Sequence, residues 1–138
     1  MNQHPYLRAY MAGIVIPTLV LLVAVSAFII ARYVFAMPLA VERVIIFPLV
    51  FVPNIWGLWN ILYVALLSHR PHTLGVFGAL LPLILVPGGW LVTRLVAFPL
   101  PTFAPLALPF LIPVVMVVYY LIWKYLVGAL NSIVGISE

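Results

Sequence analysis

Of the 138 residues, 67% are hydrophobic and 6% are charged, and the mean hydropathy is +1.33. Six basic and two acidic side chains are too few to cover a soluble domain of this size, so the outer surface is expected to be apolar and the solvent to be lipid. The basic residues stand singly along the chain, which argues against a nucleic-acid surface, and the absence of cysteine excludes disulfides and thiolate metal sites.

The basic residues divide the chain into apolar intervals. Arg8 to Arg32 enclose 23 uncharged residues, Arg43 to Arg70 enclose 26, Arg70 to Arg94 enclose 23, and Arg94 to Lys124 enclose 29. A membrane-crossing helix needs about 20 residues, so each interval holds one span and none holds two. The expected fold is an all-α bundle of four transmembrane helices, several kinked by proline and joined by short loops. It is read as one domain, with spans at about 10–31, 44–67, 74–94 and 105–125 and an amphipathic C-terminal tail at 126–138.

A short polar head with His4 and Arg8 precedes the first span. That span is longer than the apolar core of a signal peptide, about 7–15 residues, and is read as permanent. It carries Pro17, and the small pairs Ala9 with Gly13 and Ala27 with Ala31 have the spacing of close helix contacts. Residues 32–43 form a loop with Tyr33, Phe35, Pro38 and the adjacent Glu42 and Arg43. The second span holds Pro48, Pro53, Asn54, Trp56, Gly57, Trp59 and Asn60. After the polar turn 68–73 comes the third span, with Pro82, Pro87 and Arg94, and then an apolar connection with Pro99, Pro101 and Pro105. The fourth contains Pro109 and Pro113 and ends among Tyr119, Tyr120, Trp123 and Tyr125, as at a headgroup boundary. In the tail, Leu126, Leu130, Ile133 and Ser137 keep helical spacing with Val127 and Val134 beside them, so the tail is expected to project into water or lie along the surface. The pattern P-L-x-x-V-P-x-x-W occurs at Pro48 to Trp56 and again at Pro82 to Trp90. Its helices would run in opposite directions, and chance similarity explains it best.

Four residues of the second span are candidates for a polar niche or a helix–helix contact: Asn54, Trp56, Gly57 and Asn60. The asparagines stand six residues apart and so leave the helix in different directions. Each is costly against hydrocarbon unless paired, so several faces of this helix should meet protein. Arg32, Arg43, Arg94 and Lys124 read as interfacial anchors, with Arg94 expected to snorkel rather than pair. His69 and His72 flank Arg70 and Pro71, and no further ligand stands near them, so no metal site is expected. No cofactor is expected either.

No carboxylate falls within any span, which removes the usual coupling group of an ion-driven carrier and the acid of a hydrolytic site. The sequence therefore reads as a polytopic integral membrane protein, not an enzyme: an accessory, scaffold or subunit protein. The alternative is a small facilitative transporter or channel, homodimeric, with a polar niche near the proline kinks of helices two and three. Its expected partners are the lipid bilayer and copies of itself or other membrane proteins, without nucleic acid. The expected location is a membrane, most simply a bacterial inner (plasma) membrane. Three basic residues fall on each side of a four-span chain, so charge alone leaves the orientation tied; counting Arg94 inside its span puts both termini in the cytoplasm.

Overall fold

The computed structural model describes residues 4–38, 50–67, 69, 70, 73–95, 97 and 104–136. The start of the expected second span, with Pro48, lies outside the described residues, as do Glu42 and Arg43 of the loop before it and Pro71, His72, Pro99, Pro101 and Ser137. The helices are α1 (Pro5–Tyr33), α2 (Phe51–Leu67), α3 (Leu74–Ala79), α4 (Pro82–Leu95), α5 (Ala104–Leu121) and α6 (Gly128–Ile133), with a π-helical segment at Ile122–Val127 between the last two. α3 and α4 form one broken rod; α5, the π segment and α6 form one continuous rod. The fold is an all-α bundle of four rods, with no strand among the described residues.

Three rods, Pro5–Tyr33, Leu74–Leu95 and Leu106–Ile133, are long and apolar enough to cross a membrane, at 29, 22 and 28 residues. α2 has 17 described residues, which at about 1.5 Å each fall a little short of a 30 Å hydrocarbon layer. α1 begins with Pro5 in the first turn, where a missing N–H costs nothing. Its hydroxyls fold back on the helix, Thr18 Oγ1 donating to the Ile14 carbonyl at 2.6 Å and Ser26 Oγ to Leu22 at 2.8 Å. No polar atom of theirs is left facing outward without a bond. The helix closes through Ala36 at φ 52, with the Met37 N–H reaching the Ala31 carbonyl at 3.2 Å.

The expected third span is broken between α3 and α4, and Pro82 is the cause. It brings no N–H to the carbonyl of Gly78, which accepts instead from Leu81 at 3.1 Å; Leu83 and Ile84 likewise reach back three residues. The turn tightens at Leu80 and Leu81 and turns Leu81 into the core, where it is fully buried.

Contacts fix the helix directions. Ala9, Gly13 and Pro17 of α1 meet Asn60, Gly57 and Trp56 of α2 in descending order, so the two are antiparallel. Trp56 and Asn60 meet Trp123 and Asn131 in ascending order, so α2 and the last rod are parallel. α3 packs on the π segment and α4 on α5, so the third rod is antiparallel to the fourth. The start of α1, the end of α2, the start of α3 and the end of α6 therefore share one end of the bundle. The core is Trp56, Tyr63, Leu74, Leu81, Leu85, Trp123 and Val127. Trp56 lies 5.0 Å from the Tyr119 ring and 5.4 Å from Trp123, and Trp59 stacks on Phe77 at 4.7 Å. Such pairs add about 0.5–1.5 kcal/mol each beyond their buried area.

The tail departs from its expected place. Val127, Asn131 and Ile136 are buried, whereas Leu126 and Ile133 are exposed. The stripe read from the sequence is split: Leu126 and Ile133 face out, Leu130 and Val134 are half-buried and Val127 faces in beside Asn131, which has a hydrogen-bonding partner inside the bundle. The π segment contributes to this alignment. A row spaced by four drifts around an α-helix of about 3.6 residues per turn, and a wider π turn takes up the drift, leaving Trp123, Val127 and Asn131 on one inward line.

Candidate functional site

Buried polar groups converge where α1, α2 and α6 meet. Asn60 Nδ2 donates to the Ala9 carbonyl at 2.7 Å and to Asn131 Oδ1 at 2.8 Å. Asn131 Nδ2 returns a bond to Asn60 Oδ1 at 3.2 Å. Both asparagines are fully buried. A helix carbonyl has two lone pairs, so Ala9 can accept this bond in addition to its place in the helix. The pair is reciprocal, neutral and closed on itself; it can hold three helices in register but offers no titratable group.

One turn away the chain ends join. The last helix closes in a Schellman turn: Gly135 at φ 76 donates to Ser132 at 3.0 Å and Ile136 to Asn131 at 2.8 Å. The free carbonyl of Val134 accepts from Arg8 Nη1 at 3.2 Å. A cation at a helix C-terminus is also favoured by the helix dipole. Arg8 thus spans from α1 to the end of the last rod.

The four candidates of the second span do not form a single niche. Gly57 lies in the α1–α2 crossing, where an added Cβ would stand 2.5 Å from the Tyr10 ring and 2.8 Å from Ile14. Across from it, a Cβ on Gly13 would stand 2.8 Å from the Trp56 carbonyl oxygen and 2.9 Å from the Gly57 Cα. The Tyr10 ring runs over Gly57 and its hydroxyl donates to Asn54 Oδ1, while Asn54 Nδ2 donates to the Val50 carbonyl at 2.7 Å. Asn54 is exposed but bonded; Asn60 is in the interior clasp; Trp56 is core. Of the small pairs in α1, Ala9 and Gly13 are buried at this crossing, whereas Ala27 is exposed.

The anchor candidates lie at the periphery. The Arg94 guanidinium carbon sits 4.0 Å from the Trp90 ring centroid. Arg32 lies 5.6 Å from Tyr33, and Lys124 Nζ lies 5.5 and 5.3 Å from Tyr120 and Tyr125. Arg43 is outside the described residues. His69 is exposed, and no group of three metal-ligating side chains occurs among the described residues.

Sequence reasoning missed Asn131 and the glycine face of α3. A Cβ on Gly78 would fall 2.0 Å from Trp123 Cγ, so the indole occupies the space a side chain would need. Trp59 Nε1 also reaches this helix, donating to the Phe77 carbonyl at 2.9 Å. A row of Trp123, Val127 and Asn131 at four-residue spacing was the available signal. The chain matches no family model, no curated protein and no solved structure.

Proposed function

We propose that this chain is an integral membrane protein acting as an accessory, scaffold or subunit, with its apolar exterior available to lipid and to other membrane helices. A bacterial inner membrane is the simplest setting. The observation that carries this reading is the reciprocal Asn60–Asn131 pair: the two buried amides are bonded to each other and to the Ala9 carbonyl rather than arranged around an open path. Aromatic rings fill the adjoining core. The exterior supports lipid as solvent, with Phe110 81% and Val23 72% exposed, positions that water would penalise by about 25 cal/mol per Å².

Liposome reconstitution tests the reading. Expected are resistance to alkaline carbonate extraction, vesicles no leakier to small polar solutes than protein-free ones, and a fixed stoichiometry with a membrane partner after mild-detergent purification. Solute flux that Asn60→Leu abolishes would overturn it in favour of a facilitative carrier.

A further inference from the structure

α1 and α2 cross at Gly13 and Gly57, where neither glycine has room for a side chain. Beyond Pro17, Leu21 is still buried, whereas Leu22 and Val23 are exposed. α1 also meets the last rod, at the π segment and α6. Between these contacts lies a groove of about 280 Å³. Pro17, Leu21 and Trp56 are its buried floor; Val20, 60% exposed, stands on one rim, with Tyr119 and Ile122 on the other. The lining is aliphatic and aromatic and carries no charged side chain.

Three constraints identify the occupant. The groove lies 11 to 16 residues from the start of α1, about 17–24 Å along the helix and therefore at hydrocarbon depth. Water is not available there, and a smaller apolar cavity of about 150 Å³ already takes up a benzene-sized guest. A helix is about 10–12 Å across with its side chains, too wide to enter a groove of this volume, whereas an alkyl chain is narrow enough. We propose that the groove between α1, α2 and the last rod binds one acyl chain of a bilayer phospholipid, which enters sideways over Val20 and lies against Trp56. The proposal rests on the membrane reading but is indifferent to whether the protein is a scaffold or a carrier.

The test reads Trp56 in the full chain, with Trp59→Phe, Trp90→Phe and Trp123→Phe removing the other indoles. The protein is reconstituted in phosphatidylcholine vesicles whose acyl chains carry bromine near their middle. Strong quenching of Trp56 is expected although the residue is 3% exposed, and most of it should be lost when Val20→Phe fills the groove. Quenching unchanged by Val20→Phe overturns the proposal. Native mass spectrometry of the chain with all four tryptophans gives a second reading: one phospholipid retained per chain and lost in Val20→Phe, with Ile122→Phe from the other rim as the replacement if Val20→Phe fails to fold. No retained lipid, or equal retention in both proteins, overturns it. Carbonate extraction separates the failures: an extractable protein refutes the membrane reading, an integral one with unquenched Trp56 refutes the groove alone.

Discussion

Both amide hydrogens of Asn60 are engaged, one by the Ala9 carbonyl and one by Asn131, whose own amide returns the bond. Removing either side chain alone leaves the other buried and short of a partner, which costs about 1–3 kcal/mol. Asn60→Leu and Asn131→Leu should each destabilise by that order, and the double variant should lose less than the sum. Unfolding in a denaturing-detergent titration measures this, with coupling expected at about 0.5–2 kcal/mol; strict additivity would mean the bonds contribute nothing jointly. Arg94 is a different case. It is exposed over Trp90 at 4.0 Å, so a cation on a flexible stem suffices. Arg94→Lys should retain stability to within about 0.5 kcal/mol and Arg94→Leu should lose about 0.5–1 kcal/mol. Loss of folding in Arg94→Lys would instead indicate a planar bidentate partner. The need of Asn60 for a partner was legible in the sequence because an amide in an apolar span is conspicuous. Asn131 was not, because it sits among polar and small residues at a chain end, where exposure to water is the ordinary expectation.

Helix contacts here are set by glycine at two crossings, and the surroundings of each glycine predict different costs. An added Cβ at Gly13 meets backbone, the Trp56 oxygen and the Gly57 Cα, which cannot yield without moving α2. At Gly57 it meets the Tyr10 ring, which can swing aside by giving up its bond to Asn54. Gly13→Ala should therefore cost about 1–3 kcal/mol, at the upper part of the range for overpacking, and Gly57→Ala less. Gly88→Ala, with nothing within 4 Å of its Cβ, should be neutral or stabilising by up to about 1 kcal/mol through helix propensity. Thermal unfolding of the three variants checks the order; Gly57→Ala costing more than Gly13→Ala would contradict the crossing described. The rods themselves were legible, since apolar length between charges specifies helices in lipid. Their inward faces were not. In water the apolar stripe points inward, but here Leu126 and Ile133 point out while Asn131 points in. Small residues and paired amides carry the facing signal, and both are weak in a sequence of few residue types. The repeated pattern ending at Trp56 and Trp90 illustrates this: one tryptophan is 3% exposed in the core, the other half-buried beneath Arg94.

At the scale of the whole molecule, the helix directions fix which segment ends lie together. Arg8 belongs to the end of the bundle that holds the Arg8–Val134 bond, and Arg70 follows α2 at that same end, while Lys124 lies in the π segment, with α6 between it and that end. Arg32 and Arg94 close α1 and α4 at the opposite end. Arg43 lies outside the described residues and Lys124 within the last rod, so the absolute orientation has no basis in basic residues alone. The relative arrangement does have one, because antiparallel α1 and α2, parallel α2 and last rod, and the antiparallel third rod allow a single alternation. Single cysteines placed in the naturally cysteine-free chain test it against a membrane-impermeant thiol reagent. His4→Cys and His69→Cys should react from one side of the membrane, Met37→Cys and Ala97→Cys from the other; all four residues are exposed and lie outside the helices. Which pair reacts in intact cells fixes the orientation, with the His4 pair expected to be protected if the termini are cytoplasmic. Should His4 and His69 react from opposite sides, α1 and α2 would not form an antiparallel transmembrane pair, and the Asn60–Ala9 bond that joins them could not exist in the membrane.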